Sequence, residues 1–204
     1  MTKPSFDDMY HLLTNLILPF YEVERDLPLP IQNHRNETDV EHSWSLAIAA
    51  CSLASQIDPK LDVGKICQFA IVHDLVELYA GDVSVWASED KLAKKQENER
   101  TAFQEIAKNF GQFPWLINTI EGYEKKDSAE ALFVYALDRF MALLVLYADK
   151  GYYYLRDKRS KADFDKKHKS YRHKSHAHKD VGWYYDQLIK AFDEHPEYFH
   201  PSKP

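Results

Sequence analysis

The stretch Ile71-Val72-His73-Asp74-Leu75-Val76-Glu77 sets three ionisable side chains among aliphatic ones. Apolar residues recur at helical spacing from about residue 63 to residue 79, which predicts a helix there. On a helix, His73 and Asp74 point about 100° apart, and Glu77 follows within one turn, so the three side chains share one side. A carboxylate among apolar neighbours is costly to bury unless a cation compensates it. The stretch is therefore a candidate ion-binding site.

Two further stretches place ionisable residues inside apolar sequence. Glu41-His42-Ser43 enters a helix predicted over about residues 40–56, and Asp138 lies well inside a helix predicted over about residues 129–149. With His73 and Asp74, the side chains of His42 and Asp138 would complete a site of two imidazoles and two carboxylates. Such a ligand set suits Mn, Co, Fe, Zn or Mg and leaves coordination positions open for water and substrate.

Each of these residues also has an ordinary structural interpretation. A lone histidine such as His73 in an apolar helix is more often a core residue than a ligand, and Asp138 can pair with Arg139. His42 can be an ordinary residue near a helix start, and Glu77 by itself is typical of a solvated face. The ordinary explanation would have to hold four times over in the right order along the chain, so we favour a site.

The composition predicts an all-α chain. Among 204 residues there are only 6 glycines, whereas 45% are hydrophobic and 14% aromatic, so a core is expected with few tight turns. Further helices are predicted over about residues 9–20, 91–109 and 115–123, and from about residue 180 onward. The charged segment 156–179 is predicted to be a mobile connection or a frayed helix. We predict one helical bundle over residues 1–204, with the metal site between its central helices.

Several classes of protein are disfavoured. No run of about 18 apolar residues occurs, so we predict no membrane span, and the N-terminus lacks the pattern of a signal peptide. Two cysteines allow one bridge at most, and free thiols in the cytoplasm are the expectation. The net charge of −6 argues against a protein that coats nucleic acid, although it does not exclude a small anionic substrate held by a metal.

Three sequence blocks carry a resemblance to a known family. The first is Arg35-Asn36-Glu37-Thr38-Asp39-Val40-Glu41-His42-Ser43, the second is His73-Asp74-Leu75-Val76-Glu77 followed by Gly81-Asp82, and the third is Ser128-Ala129-Glu130-Ala131 leading to Asp138. In this order they resemble the HD-domain metal-dependent phosphohydrolases, in particular the branch that contains bacterial 5′-deoxynucleotidases. The resemblance covers most of residues 31–150 and leaves 151–204 as a C-terminal helical cover.

The resemblance implies an HD-domain fold and a metal-dependent phosphoric monoester hydrolase. Such an enzyme releases phosphate from (deoxy)nucleoside 5′-monophosphates by attack of a metal-bound water. The implied metal ligands are His42, His73, Asp74 and Asp138. Glu77 is placed to orient that water or take its proton, and Asp82 matches a family position that contacts the sugar hydroxyl. Arg35 is a candidate for holding the phosphate.

Other functions stay open at this point. The same site would serve a phosphodiester, a nucleoside triphosphate or a signalling nucleotide, or a module that binds metal or nucleotide without turnover. No histidine occurs between His73 and His168, which argues against a di-iron oxygenase site. The Arg-Trp-Pro element of the deoxynucleotidase branch is replaced by Leu27-Pro28-Leu29-Pro30, so no sugar or phosphate contact is predicted there. A homodimer is suggested by the resemblance and by the surplus of aromatic residues.

Overall fold

The computed structural model describes residues 3–201 and is mostly helical. The helices are α1 (Phe6–Leu12), α2 (Leu18–Phe20), α3 (Asp39–Ile57), α4 (Val63–Val72), α5 (Glu77–Ala80), α6 (Glu89–Phe110), α7 (Pro114–Lys125), α8 (Ala129–Ala148), α9 (Tyr152–Arg156), α10 (Lys161–Ser175) and α11 (Lys179–Asp193). A π-helical turn over Leu13–Ile17 joins α1 to α2. The predicted all-α class is confirmed, and the predicted helices from residue 40, from 91, from 115, from 129 and from 180 are all present.

A short antiparallel ribbon precedes α3 and was not expected from the sequence. Strand β1 (Glu24–Pro28) pairs with β2 (Asn36–Thr38). Thr38 then caps α3, because its hydroxyl accepts from the backbone N–H of Glu41 while the Glu41 carboxylate accepts from the N–H of Thr38. The ribbon thus sets the start of α3 and lies beside the first turn of the helix that carries His42.

Helices α3, α4 and α8 pack against one another around the first hydrophobic core. Small residues on all three helices are fully buried, among them Ala50, Ala70 and Ala136. Small side chains at helix contacts let the helix axes approach closely. The three helices that carry or precede the candidate ligands are therefore held close together at their centres.

The helix predicted over residues 63–79 is divided in two, so the prediction of one continuous helix was wrong. Helix α4 ends at Val72, His73 to Val76 form tight turns, and α5 begins at Glu77. The N–H of Leu75 donates to the carbonyl of Val72 at 3.0 Å, and the N–H of Glu77 donates to the carbonyl of Asp74 at 2.8 Å. Hydrogen bonds to the third preceding residue thus replace the α-helical pattern over this turn. The spacing of apolar residues does not reveal this change.

The charged segment from 156 to 179 forms a capped helix, so the prediction of a mobile connection or frayed helix was wrong. In α10, Ser160 and Asp163 make a reciprocal capping box. Phe164 and His168 are buried, four residues apart on one face. The apolar residues are few but correctly spaced, and they join the third hydrophobic core beside α8 and α11. The many charged residues made this helix unrecognisable from the sequence, and its packing against α8 and α11 stabilises it.

Helix α8 is long and apolar enough to cross a membrane by length and composition alone, with a mean hydropathy of 1.8. Asp138 and Arg139 interrupt its apolar sequence, and it packs against α3, α4, α10 and α11. The two charged residues are the reason why no uninterrupted apolar run was found in the sequence.

Candidate metal centre

Four predicted ligands meet in one cluster between α3, α4 and α8. One ligand atom from each of His42, His73, Asp74 and Asp138 lies within 4.8 Å of the other three. His42 Nε2 is 2.9 Å from Asp138 Oδ1, and His73 Nε2 is 2.9 Å from Asp74 Oδ2. His73 Nε2 is also 3.9 Å from Asp138 Oδ1. The turn after α4 brings His73 and Asp74 together, and the neighbouring helices supply the other two.

His73 is oriented by its other ring nitrogen. Nδ1 lies 2.9 Å from the carbonyl oxygen of Ala70, and because that oxygen can only accept, Nδ1 is assigned as the donor. In the neutral ring Nε2 is then the nitrogen with the free lone pair, and it is buried without a hydrogen-bond partner while facing the Asp74 carboxylate. A lone pair facing a carboxylate is unfavourable unless a cation lies between them. Nε2 therefore fits a metal ligand, with its tautomer set by the backbone.

His42 has an acidic residue behind it that the sequence did not single out. His42 Nδ1 is 3.4 Å from Glu37 Oε2, and both side chains are buried. Burial and the charge of Arg25 would lower the pKa of His42, but hydrogen bonds to Asp138 and Glu37 raise it to about 9. Glu37 belongs to the first resembling block, but nothing in the pattern distinguished its role from that of its neighbours.

Both aspartates of the cluster are held in the ionised form. Burial opposes ionisation of Asp74, yet the charge that His73 carries when it is protonated and the charge of Arg25 keep the pKa of Asp74 well below the usual value. Burial and the like charge of Asp74 raise the pKa of Asp138, but the hydrogen bond from His42 and the charges of the two histidines together lower it below the usual value. Two ionised carboxylates beside two imidazoles are a donor set that could hold a divalent metal.

Comparison with known proteins identifies the family. A profile of the HD domain family matches residues 22–179. The chain belongs to the HD domain family. The match extends beyond the resembling blocks at both ends and includes the β-ribbon and α10.

Two individual proteins resemble this HD domain. The human protein 5′-deoxynucleotidase HDDC2 is 29% identical over 116 residues, which are 54% of this chain and 53% of that protein. The chain therefore matches about half the length of this curated relative. A crystal structure of a predicted metal-dependent phosphohydrolase from Magnetospirillum magnetotacticum MS-1 has a TM-score of 0.76 to this chain and is 26% identical. The structural alignment covers 96% of this chain and 95% of the Magnetospirillum chain.

Arg25 of β1 is a site residue of this HD domain that sequence reasoning missed. Its Nη1 lies 2.5 Å from Asp74 Oδ2 and 3.2 Å from Asp39 Oδ1, and its Nε lies 3.6 Å from Glu37 Oε2. Burial and the Asp74 charge raise the pKa of Asp39 to about 7, although Arg25 opposes the shift. Arg25 lies two residues before the proline-rich stretch that replaces the Arg-Trp-Pro element, and only the pairing of β1 with β2 reveals its position.

Glu77 is buried at the start of α5 and is paired with a lysine from α6. Lys95 Nζ lies 2.9 Å from Glu77 Oε1, while Glu77 Oε2 is buried without a hydrogen-bond partner. Burial and the charge of Asp74 raise the pKa of Glu77, although Lys95 opposes the shift. Glu77 is therefore a stronger base than a solvated glutamate. Lys95 comes from a highly charged helix, and the sequence offered no signal to single it out.

A cavity of about 140 Å³ opens onto the cluster and is lined by Asp74, Glu77 and Asp138. Asp82 also lines this cavity. It follows Gly81, whose φ of 74° ends α5 in a conformation that glycine adopts without strain. Asp82 Oδ2 accepts from the backbone N–H of Asp26 at 3.4 Å, so one of its two oxygens is engaged by the ribbon.

Arg35 lies elsewhere. Within residues 3–201, it is not among the residues that line the cavity. Its guanidinium is exposed and pairs with Glu41, with Nη1 2.8 Å from Glu41 Oε2. The structure thus brings together the predicted ligands, Glu77 and Asp82, and it leaves Arg35 at the surface beside the start of α3.

Proposed function

We propose that this HD domain is a metal-dependent phosphohydrolase that releases phosphate from small phosphomonoesters, with (deoxy)nucleoside 5′-monophosphates as the first candidates. The observation that carries the proposal is the cluster of His42, His73, Asp74 and Asp138, whose two aspartates line a cavity together with Glu77. The names given to the human and the Magnetospirillum relatives support the same chemistry.

The ion would be held by the four clustered side chains. The unpartnered Nε2 of His73 and the two ionised aspartates fit a divalent cation such as Mn, Co, Fe, Zn or Mg. A bound ion of this kind supplies Lewis-acid stabilisation of the phosphoryl oxygens and acidifies water. Behind the ligands, Ala70 and Glu37 orient the imidazoles, while Arg25 holds Asp74.

Hydrolysis of a phosphomonoester requires one proton to be moved. A water oxygen forms a bond to phosphorus, the bond between phosphorus and the ester oxygen breaks, and the alcohol leaves with a proton. Glu77 takes the proton of the attacking water and returns it to the leaving oxygen. Its raised pKa suits it to hold the proton between the two steps, and Lys95 at 2.9 Å stabilises the ionised form that is present before the first step and after the second. The products are an alcohol and inorganic phosphate.

The test is phosphate release from metal-stripped protein. We expect no release after chelation and dialysis, and recovery when at least one of Mn, Co, Fe, Zn or Mg is restored. The substrate panel includes nucleoside monophosphates, a phosphodiester and a nucleoside triphosphate. Absence of phosphate release from all substrates with all metals would overturn the proposal. Release from the diester or triphosphate alone would replace the substrate class, and tight metal binding without release would indicate a binding module.

We also propose that the protein forms a homodimer, and an exposed apolar groove supports this. The groove, about 1030 Å³ in volume, lies between α2, α3, α4 and α7 and is lined by Trp44, Ile48, Ile71 and Trp115, all exposed. Exposed apolar patches mark interaction surfaces. Light scattering should give twice the chain mass, and Trp44→Asp should give monomers. A monomeric natural chain would contradict the proposal. The cytoplasmic location stays a prediction.

A further inference from the structure

Three cations converge on the side of the cavity that α8 and α10 form. Arg139 of α8 and Lys167 and Lys174 of α10 line the same cavity as Asp74, Glu77 and Asp138. Their charged groups surround one aromatic ring. The Tyr171 centroid is 4.9 Å from the Arg139 guanidinium, 5.5 Å from Lys167 Nζ and 5.2 Å from Lys174 Nζ. Lys167, Tyr171 and Lys174 follow one another at helical spacing on α10, so they share one face.

These cations lack acidic partners. Over residues 3–201, no carboxylate oxygen lies within 4.0 Å of Arg139, Lys167 or Lys174, and Arg139 Nε is buried without a hydrogen-bond partner. The other two cations of the cavity differ in this respect. Arg25 lies 3.2 Å from Asp39, and Lys95 lies 2.9 Å from Glu77. The unpaired cations are thus confined to the part of the cavity between α8 and α10.

Such a grouping is unfavourable while no anion is present. The three side chains are only partly exposed, and like charges repel more strongly where solvent is partly excluded. Burial and the charges of Arg139 and Arg159 lower the pKa of Lys167. Burial lowers the pKa of Lys174 as well, and the charge of Arg139 adds to this while Asp138 opposes it. Aromatic rings offset only part of this repulsion, since Lys167 also lies over Trp86 at 5.2 Å and Lys174 over Tyr135 at 5.7 Å. The grouping therefore favours a negatively charged ligand.

We propose that Arg139, Lys167 and Lys174 bind a second phosphate group of the substrate, so that the preferred substrate is a nucleoside bisphosphate or a similar small molecule with two phosphates. The inference rests on the proposed phosphohydrolase function. Arg139 follows the predicted ligand Asp138 directly, so one small molecule reaches both. The second phosphate offers several acceptor oxygens and about two negative charges to the three cations. Lys167 and Lys174 are about 10 Å apart along α10, but their Nζ atoms converge to 5.5 and 5.2 Å from the Tyr171 centroid.

A kinetic comparison of two substrates tests the subsite. We expect the metal-loaded protein to hydrolyse 2′-deoxyadenosine 3′,5′-bisphosphate with a kcat/KM about tenfold or more above that for 2′-deoxyadenosine 5′-monophosphate, as one charge-assisted hydrogen bond would provide. Lys167→Gln should reduce this preference by about the same factor. The matched control is Lys169→Gln, an exposed lysine on α10, which should retain the preference. Equal kcat/KM for both substrates in the natural protein would overturn the inference, as would an equal loss for both in Lys167→Gln.

A binding measurement separates this inference from the proposed function. Without metal, the carboxylates repel anions, so inorganic phosphate titrated calorimetrically into the metal-free protein should bind at the cations. The affinity should fall about tenfold in Lys167→Gln and stay unchanged in Lys169→Gln, with unchanged thermal unfolding in both. Absence of phosphate binding to the natural protein, or equal binding by Lys167→Gln, would overturn the subsite. Phosphate binding without hydrolysis of any substrate would support the subsite and overturn the phosphohydrolase proposal.

Discussion

The two ends of the cavity bury ionisable groups of opposite sign. The pKa values of two buried histidines, one near each end, differ accordingly. At the carboxylate end, hydrogen bonds to Asp138 and Glu37 raise the pKa of His42 to about 9 against the opposing effects of burial and Arg25. At the cationic end, burial and the charge of Arg139 lower the pKa of His168 to about 3. Both histidines are almost fully buried, so burial alone does not decide their protonation. The sign of the neighbouring charge does, which is why one end suits a cation and the other an anion.

Removal of a predicted metal ligand at the carboxylate end should have the largest effect on activity. We expect Asp138→Ala to lose bound metal and to reduce phosphate release by about a thousandfold or more, because the Lewis acid supplies several kcal/mol of stabilisation in such reactions. Metal content by atomic emission and kcat by phosphate assay check this. Asp90→Ala, an exposed aspartate on α6, is the control. Full metal content in Asp138→Ala would place the metal elsewhere.

Glu77 separates proton transfer from metal binding at the carboxylate end. We expect Glu77→Gln to retain metal and to lower kcat by about a hundredfold to ten-thousandfold, because the amide cannot take a proton from water. The exposed Glu121 of α7 provides the control variant Glu121→Gln. A loss of metal as large as that in Asp138→Ala would make Glu77 a ligand instead of a base.

Arg25 tests whether the carboxylate end depends on a cation for stability. Its side chain is 13% exposed and contacts Asp74 and Asp39. We expect Arg25→Gln to lower the free energy of unfolding of the metal-free protein by about 3 kcal/mol, because two carboxylates lose their buried partner. Bound metal should reduce this loss, since it compensates Asp74. Arg35→Gln at the surface should cost less than about 1 kcal/mol. Urea unfolding with and without Mn measures both free energies. An equal loss of stability in the metal-free and metal-loaded proteins would contradict this account.

His168 tests the cationic end through pH. Its pKa in the folded chain is about 3, below the ordinary 6.5. Between pH 3 and pH 6.5, His168 is therefore protonated in the unfolded chain and neutral in the folded chain. Stability should therefore be complete above pH 6.5 and fall as the pH decreases. His168→Gln should remove about 2 kcal/mol of the difference between neutral pH and about pH 4.5. Urea midpoints at both pH values, with exposed His173→Gln as control, measure it. The same acid sensitivity in His168→Gln would show that other groups cause it.

Much of this molecule was predictable because short-range patterns specify it. The apolar spacing of α3 and α8 lies within these helices, and the capping residues Thr38 and Ser128 directly precede them. The grouping of the four predicted ligands was predictable for a related reason, since costly polar residues in apolar helices have few explanations. The break after Val72 was not predictable, because a three-residue turn and a helix share the same apolar spacing.

The residues that sequence reasoning missed share a cause. Arg25, Glu37 and Lys95 reach the site only through the pairing of β1 with β2 and the packing of α6 beside α5. Each is an ordinary charged residue in its own stretch of sequence. Arg35 shows the converse, since a motif position suggested a role in substrate binding, whereas its side chain pairs with Glu41 at the surface.

The sequence by itself determined that the chain is all-α and that two histidines and two aspartates are placed to share an ion, because helix periodicity and the cost of buried charge are both local properties. Only the tertiary structure decided that Arg25 and Lys95 pair with carboxylates of the site. It also decided that Arg139, Lys167 and Lys174 lie together without an acidic partner within residues 3–201. The distance between charges on separate helices depends on how the helices pack, and no spacing along the chain records it. The division of the cavity into a carboxylate end and a cationic end is a property of the fold.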